Sequence, residues 1–192
     1  MLSELFRGRL VRLTAQDGEK DAEALARWSS DSEYLRLLDS RPARPHAAKF
    51  FQEDTARRAE REHDFVFNIR TLADDRFVGF ISLWVMNWAS AEGRVGIGIG
   101  EPADRGRGLG TEAMQLMLHF AFAELNLARV SLEALAENRR AIRSYQKAGF
   151  TLEGSQRESD HRDGRRADVV TMGILRDEWR RGDPAGAAAG SV

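Results

Sequence analysis

The chain has 192 residues, enough for one domain with its own core. Acidic and basic residues nearly cancel at a net charge of -1, which argues against duplex DNA or an anionic membrane as the main partner, since both demand a large positive field. The lack of cysteine excludes disulfides, thiolate metal sites and a cysteine nucleophile; with no spanning apolar run and no secretory leader, the expectation is a soluble, cytoplasmic protein that binds no metal.

In chain order, residues 9–13 alternate charged and apolar side chains, as a short half-buried strand does. After Asp17 comes a helical stretch with Ala22, Leu25, Ala26 and Trp28 on roughly one face. Ser29, Ser30 or Asp31 can cap a second short helix through Tyr34, Leu35 and Leu38, which Pro42 and Pro45 end. Residues 46–62 read as a third amphipathic helix. Residues 65–71 and 77–84 alternate about a turn at 73–76 and form an antiparallel hairpin. Residues 95–100 alternate glycine with β-branched residues, as a strand. A helix from 109 to about 125 follows, then a strand at 128–134 and a helix from Asn138 to Lys147 closed by Gly149. Extended structure resumes at 150–154, Asp163-Gly164 marks a hairpin, and 168–175 is the last strand. The tail 183–192 is low-complexity and expected to be disordered, leaving a domain over 1–182. This order predicts one α/β (α+β) domain, with helices flanking a mixed sheet.

Between the strand at 95–100 and the next helix lie Arg105, Gly106, Arg107, Gly108, Leu109, Gly110 and Thr111. The first N–H groups of a helix have no partner within it and carry the positive end of its dipole. Glycines let the backbone approach a ligand closely, so the stretch reads as a phosphate cradle. A nucleotide-hydrolase loop requires a lysine that is missing here. Gly98-Ile99-Gly100-Glu101-Pro102-Ala103 matches a dinucleotide fingerprint on paper, but it lies mid-chain and Pro102 interrupts it. A protein-kinase loop lacks its downstream partners.

The pattern Arg105-x-x-Gly108-x-Gly110 resembles the acyl-CoA pyrophosphate loop of the GNAT superfamily of N-acetyltransferases. The segment from Asn138 through Tyr145 and Lys147 to Gly149-Phe150 resembles a later motif of the same family. The ends of the domain, at 10–13 and 163–179, are similar to the RimJ/RimL-type branch that acetylates ribosomal-protein N-termini. The resemblance implies a mostly antiparallel mixed sheet, splayed at the cofactor site. It also implies acetyl transfer from acetyl-CoA to a primary amine, with CoA as product. The acceptor it favours is a protein N-terminus; alternatives are a small amine of aminoglycoside or polyamine type, or an acyl-CoA-binding module without catalysis. The branch is compatible with a homodimer, and nothing in the sequence calls for nucleic acid or membrane as a direct partner.

Under this resemblance residues 105–111 bind the pyrophosphate, mainly through backbone N–H. A backbone N–H of the preceding strand polarises the thioester carbonyl, with Ile99 and Gly100 as nearest matches. Asn138 matches a cofactor contact and also suits a helix cap. Arg143 and its neighbours Arg139, Arg140 and Lys147 are candidates for the 3′-phosphate or a solvated charged face. Tyr145 matches the residue that protonates the departing thiolate, and equally suits an ordinary packed aromatic. Glu92 and Glu101 are candidate bases for the amine, as is a water relay. Trp28, Tyr34, Trp84 and Trp88 are candidates for acceptor-pocket walls.

Overall fold

The computed structural model describes residues 4–38 and 40–182; the tail at 183–192 lies outside them. Among the described residues, one seven-stranded sheet has the order β1-β2-β3-β4-β5-β7-β6. The strands are β1 (Val11–Thr14), β2 (Asp64–Thr71), β3 (Phe77–Asn87), β4 (Glu92–Ile99), β5 (Arg129–Leu135), β6 (Thr151–Arg162) and β7 (Arg165–Leu175). The helices are α1 (Ala22–Trp28), α2 (Ser32–Leu38), α3 (Ala48–Ala59), α4 (Leu109–His119), α5 (Arg139–Lys147) and α6 (Arg176–Gly182). No helix among the described residues is long and apolar enough to cross a membrane.

All neighbouring strands are antiparallel except β4 and β5. These two pair in parallel only over Glu92–Arg94 and Arg129–Ser131. Beyond Arg94, β4 stays paired with β3 as far as Ile99, while β5 pairs with β7 alone. The sheet therefore splays beside Val95–Ile99, as expected, and leaves backbone groups of β4 without a strand partner.

Helix α4 closes the main core. Its Leu109, Ala113, Met114, Met117 and Leu118 recur on one face and pack with the inward residues of the central strands. The α-helix ends at His119 rather than near residue 125, and the chain continues as a π-helical turn from Phe120 to Glu124. The wider turn sets Phe120 against Phe6, Phe65 and Phe67 while Ala121 and Phe122 stay buried. Two other elements differ from the expectation. Strand β6 runs for 12 residues, mostly exposed, so backbone pairing with β7 rather than apolar patterning carries it. Helix α6 is charged along its length. It is held by Trp179 on Phe122 and by Glu178, whose carboxylate accepts the Leu175 N–H at 2.9 Å. Asp163 and Gly164 both have positive φ, 50° and 74°, as the two-residue hairpin turn between β6 and β7 requires.

The opposite face carries α1, α2 and α3. Helix α1 is tied to β2 by a buried polar group. The Asp21 carboxylate accepts two hydrogen bonds from Arg70, at 2.7 and 2.6 Å, and one from Asn68 at 2.7 Å. Arg70 also lies over the Phe77 ring.

Candidate active site

Between α2, the end of β4, the start of α4 and α5 lies a cavity of about 680 Å³. Its floor is Ile97, Gly98 and Ile99; Gly106, Gly108, Gly110 and Thr111 lie at one end, and Asn138, Arg143 and Tyr145 on the α5 wall. The cradle thus faces the splayed edge of β4. Gly106 and Gly108 have φ of 76° and 87°, a left-handed backbone that side chains disfavour by ~1–2 kcal/mol. Gly108 caps α4, so the helix's unpaired N–H groups open toward the cavity. Gly110 is different. A Cβ there would meet Ile99 at 3.5 Å, an ordinary contact. We expect Gly108→Ala to weaken CoA binding about tenfold in a calorimetric titration, the equivalent of ~1–2 kcal/mol of backbone strain, and Gly110→Ala to leave it nearly unchanged.

The two cradle arginines point to different partners. Arg105 is turned inward. Its guanidinium donates to the Ile99 carbonyl at 3.1 Å and to the Gly100 carbonyl, meets Asp31 at 3.3 Å and lies over the Tyr34 ring. It buttresses the end of β4 against α2. Asp31 is held below the usual carboxylate range by the Tyr34 N–H it accepts and by Arg105. Arg107 is exposed and faces Asp104 at 3.5 Å. Asp104 is buried under the cradle and receives both terminal nitrogens of Arg76 at 3.0 Å, which lowers its pKa. The cradle itself therefore offers the cavity chiefly backbone N–H groups, with Arg105 in the lining but tied to carbonyls and Asp31.

On β4, the Gly100 N–H donates to the Val78 carbonyl at 3.0 Å and is committed to β3. Successive N–H groups of a strand point to opposite edges, so the Ile99 N–H faces the splay. Gly100 itself abuts Trp28, where a Cβ would clash at 2.0 Å. Leu109 is buried in the core.

Asn138 caps α5, its side chain accepting the Ala141 N–H at 3.2 Å, and lines the cavity at the same time. Thr111 and Ser144 share a hydrogen bond of 2.7 Å that joins α4 to α5. Tyr145 packs on Phe150, and burial pushes its phenol up to about 12.

The structure does not bring the two candidate bases to the cavity. Glu92 is at the far end of β4, 3.3 Å from Arg129, which also binds Glu153. Seven residues of strand separate it from Ile99, roughly 23 Å at ~3.3 Å per residue. Glu101 follows β4, but its Oε1 accepts from Trp28 at 2.9 Å and from Arg27 at 2.8 Å. Those donors lower its pKa and make it a weaker base, and they tie α1 to the end of β4. Of the four candidate wall aromatics, Tyr34 lines the cavity, whereas Trp84 and Trp88 are exposed near the end of β3.

One contributor has no local signal in the sequence. The Glu112 carboxylate, in the first turn of α4, accepts the backbone N–H groups of Arg9, Leu10 and Val11 at 2.9, 2.7 and 2.8 Å. It folds the segment before β1 over the cavity, so that Arg9 and Leu10 line it. These partners are more than 100 positions apart, and only the closed sheet brings them together.

The chain and its fold have counterparts among known proteins. The family model described as "Acetyltransferase (GNAT) domain" matches residues 9–151. The chain is 33% identical over 119 residues to "Probable N-acetyltransferase YjcK" of Bacillus subtilis (strain 168), covering 62% of this chain and 65% of that protein. It is 30% identical over 108 residues to YdaF of the same organism, provisionally named a ribosomal N-acetyltransferase, covering 56% and 58%. The chain thus spans somewhat less than two thirds of each of these relatives. The solved structure of spermidine N-acetyltransferase from Vibrio cholerae, in complex with CoA and spermine, superposes with a TM-score of 0.78 at 21% identity, over 88% of this chain and 97% of that one. That likeness speaks to the fold. With the family match spanning most of its length, the chain belongs to the GNAT family of acetyltransferases, whose acyl donor is acetyl-CoA.

Proposed function

We propose that this protein transfers the acetyl group of acetyl-CoA to the nitrogen of a small primary amine. The observation that carries the reading is the continuity of one cavity from the glycine cradle, along the splayed half of β4, to Tyr145. The cradle N–H groups hold the pyrophosphate. The edge of β4 offers hydrogen bonds to the pantetheine amides, and the Ile99 N–H polarises the thioester carbonyl as it gains negative charge. The neutral amine attacks that carbonyl, the C–S bond breaks, and Tyr145 gives its proton to the leaving sulfur. With Glu92 and Glu101 each held in ion pairs outside the cavity, water takes the proton that the nitrogen loses and returns it to the Tyr145 phenolate.

A small amine is favoured because a second cavity, bounded by helices, adjoins the first at Tyr34 and Leu38. A protein N-terminus, the acceptor of the RimJ/RimL-type branch, is the second reading, supported by the similarity to YdaF. A thiol-release assay with acetyl-CoA tests both, using a panel of small amines and a set of peptides with free N-termini. Release with small amines and none with peptides is expected. Preferential turnover of peptides reverses the order, and CoA binding without turnover of any acceptor overturns the enzymatic reading.

A further inference from the structure

The second cavity, of about 370 Å³, is enclosed by α1, α2, α3, the loop at 40–47 and the face of β2 and β3. Its body is apolar and aromatic: Phe50 and Phe51 from α3, Phe80 from β3, and Leu38 and Tyr34 on the wall shared with the cofactor cavity. At its rim the loop supplies Arg41, Arg44 and His46. The loop is pinned, because the buried Ser29 hydroxyl accepts the His46 N–H at 2.9 Å and donates to the Ala26 carbonyl at 2.7 Å.

Charge decides what such a cavity accepts. Asp54 lines it, but its carboxylate is taken by Arg58 at 2.7 Å and Arg57 at 3.6 Å. His46 stacks on Phe50 at 3.8 Å; burial, then the cations of Arg44 and Arg41, lower its pKa, so the imidazole is neutral at neutral pH. Arg44 donates its Nε–H to the His46 Nε2 at 3.3 Å, and no carboxylate among the described residues pairs with it. A guanidinium with a neutral partner, at the mouth of an aromatic cavity, suits a carboxylate and repels a second ammonium.

We infer that this cavity is the acceptor site and takes a primary amine with an aromatic-sized apolar body and a carboxylate at its far end, rather than a polyamine. The amine lies at the Tyr34–Leu38 wall shared with the cofactor cavity, the body lies against Phe50 and Phe80, and the carboxylate meets Arg44. This rests on the acetyl-transfer reading above and adds the substrate class.

The test uses 4-(2-aminoethyl)benzoate against phenethylamine, which lacks the carboxylate, and spermidine. The native chain is expected to acetylate the benzoate with a kcat/KM at least tenfold above both. Arg44→Ala is expected to lower that value at least tenfold, Arg44→Lys to keep part of it, and phenethylamine turnover to stay within twofold in both. Preference for spermidine, or equal loss for both aromatic amines in Arg44→Ala, overturns the inference while leaving acetyl transfer intact. A calorimetric titration of 4-(2-acetamidoethyl)benzoate into the CoA-loaded chain separates the two claims when no amine turns over. Binding that weakens tenfold in Arg44→Ala supports the site although acetyl transfer fails; binding that is absent or indifferent to Arg44 overturns it.

Discussion

Tyr145→Phe is expected to lower kcat by ~10²–10⁴-fold, the usual range for a positioned general acid, while leaving the KM for acetyl-CoA within about threefold. The ring keeps its packing on Phe150 and its place on the cavity wall; only the proton donor is lost. A free thiol has a pKa of ~8.5 and an ordinary phenol ~10, so proton transfer between them is nearly balanced in water. In the fold it is not: burial raises Tyr145 to about 12, and against an ordinary thiolate the transfer is uphill by ~5 kcal/mol. In the proposed reaction, however, the sulfur departs beside Tyr145 in the same cavity. Burial disfavours the thiolate as it disfavours the phenolate, raising the thiol's pKa in parallel and narrowing the mismatch. A raised phenol pKa also extends the proton-bearing form to higher pH. The pH profile of kcat should therefore rise as the bound amine deprotonates and show no descending limb from Tyr145 until the pH nears about 12. Steady-state kinetics across pH on both proteins checks this. A loss of less than about tenfold would show that the phenol only positions the sulfur.

The largest effect on stability is expected from Asp21→Ala, at ~3–5 kcal/mol, the range for removing one partner of a buried ion pair. Asp21 and Arg70 are 4% and 7% exposed, so the substitution leaves a largely buried guanidinium without its hydrogen-bonded counter-ion. Asn68 loses an acceptor at the same time. Arg70 keeps a 3.3 Å contact to the Asp75 carbonyl, the weaker field of the Asp75 carboxylate and its place over Phe77. Replacing both charges together, Asp21→Leu with Arg70→Met, should recover most of the loss, because no unpaired charge is then buried. Urea denaturation of the three proteins decides. If the double variant is as unstable as Asp21→Ala, the packing of α1 on β2 matters more than the charge.

The legible parts of the site are those where the chain must do something locally unusual. Gly106 and Gly108 need a left-handed backbone, and a glycine-rich turn before strong helix formers signals that directly. Asn138 and Gly149 mark the ends of α5 by their own capping chemistry. Arg105 is legible as a residue of the loop but the direction of its side chain is not, because that depends on the Ile99 and Gly100 carbonyls and on α2 packed over β4. Glu92 and Glu101 flank the cradle strand in sequence, yet a strand separates its own ends more than any other element, and both carboxylates find arginines before they reach the site.

The sequence by itself determined the strand–cradle–helix unit, the mixed sheet and the family, since these rest on short-range periodicity, turn chemistry and motif spacing. Only the tertiary structure decided that Glu112 draws Arg9 and Leu10 over the cofactor cavity, that Gly100 is committed to β3 while Ile99 faces the splay, and that Arg44 meets a neutral His46 above a pocket of phenyl rings. Each is a contact between elements distant in the chain or a consequence of strand register. The free energy that makes such contacts comes from burying many apolar side chains at once, and no local stretch of sequence records where that burial brings its polar groups.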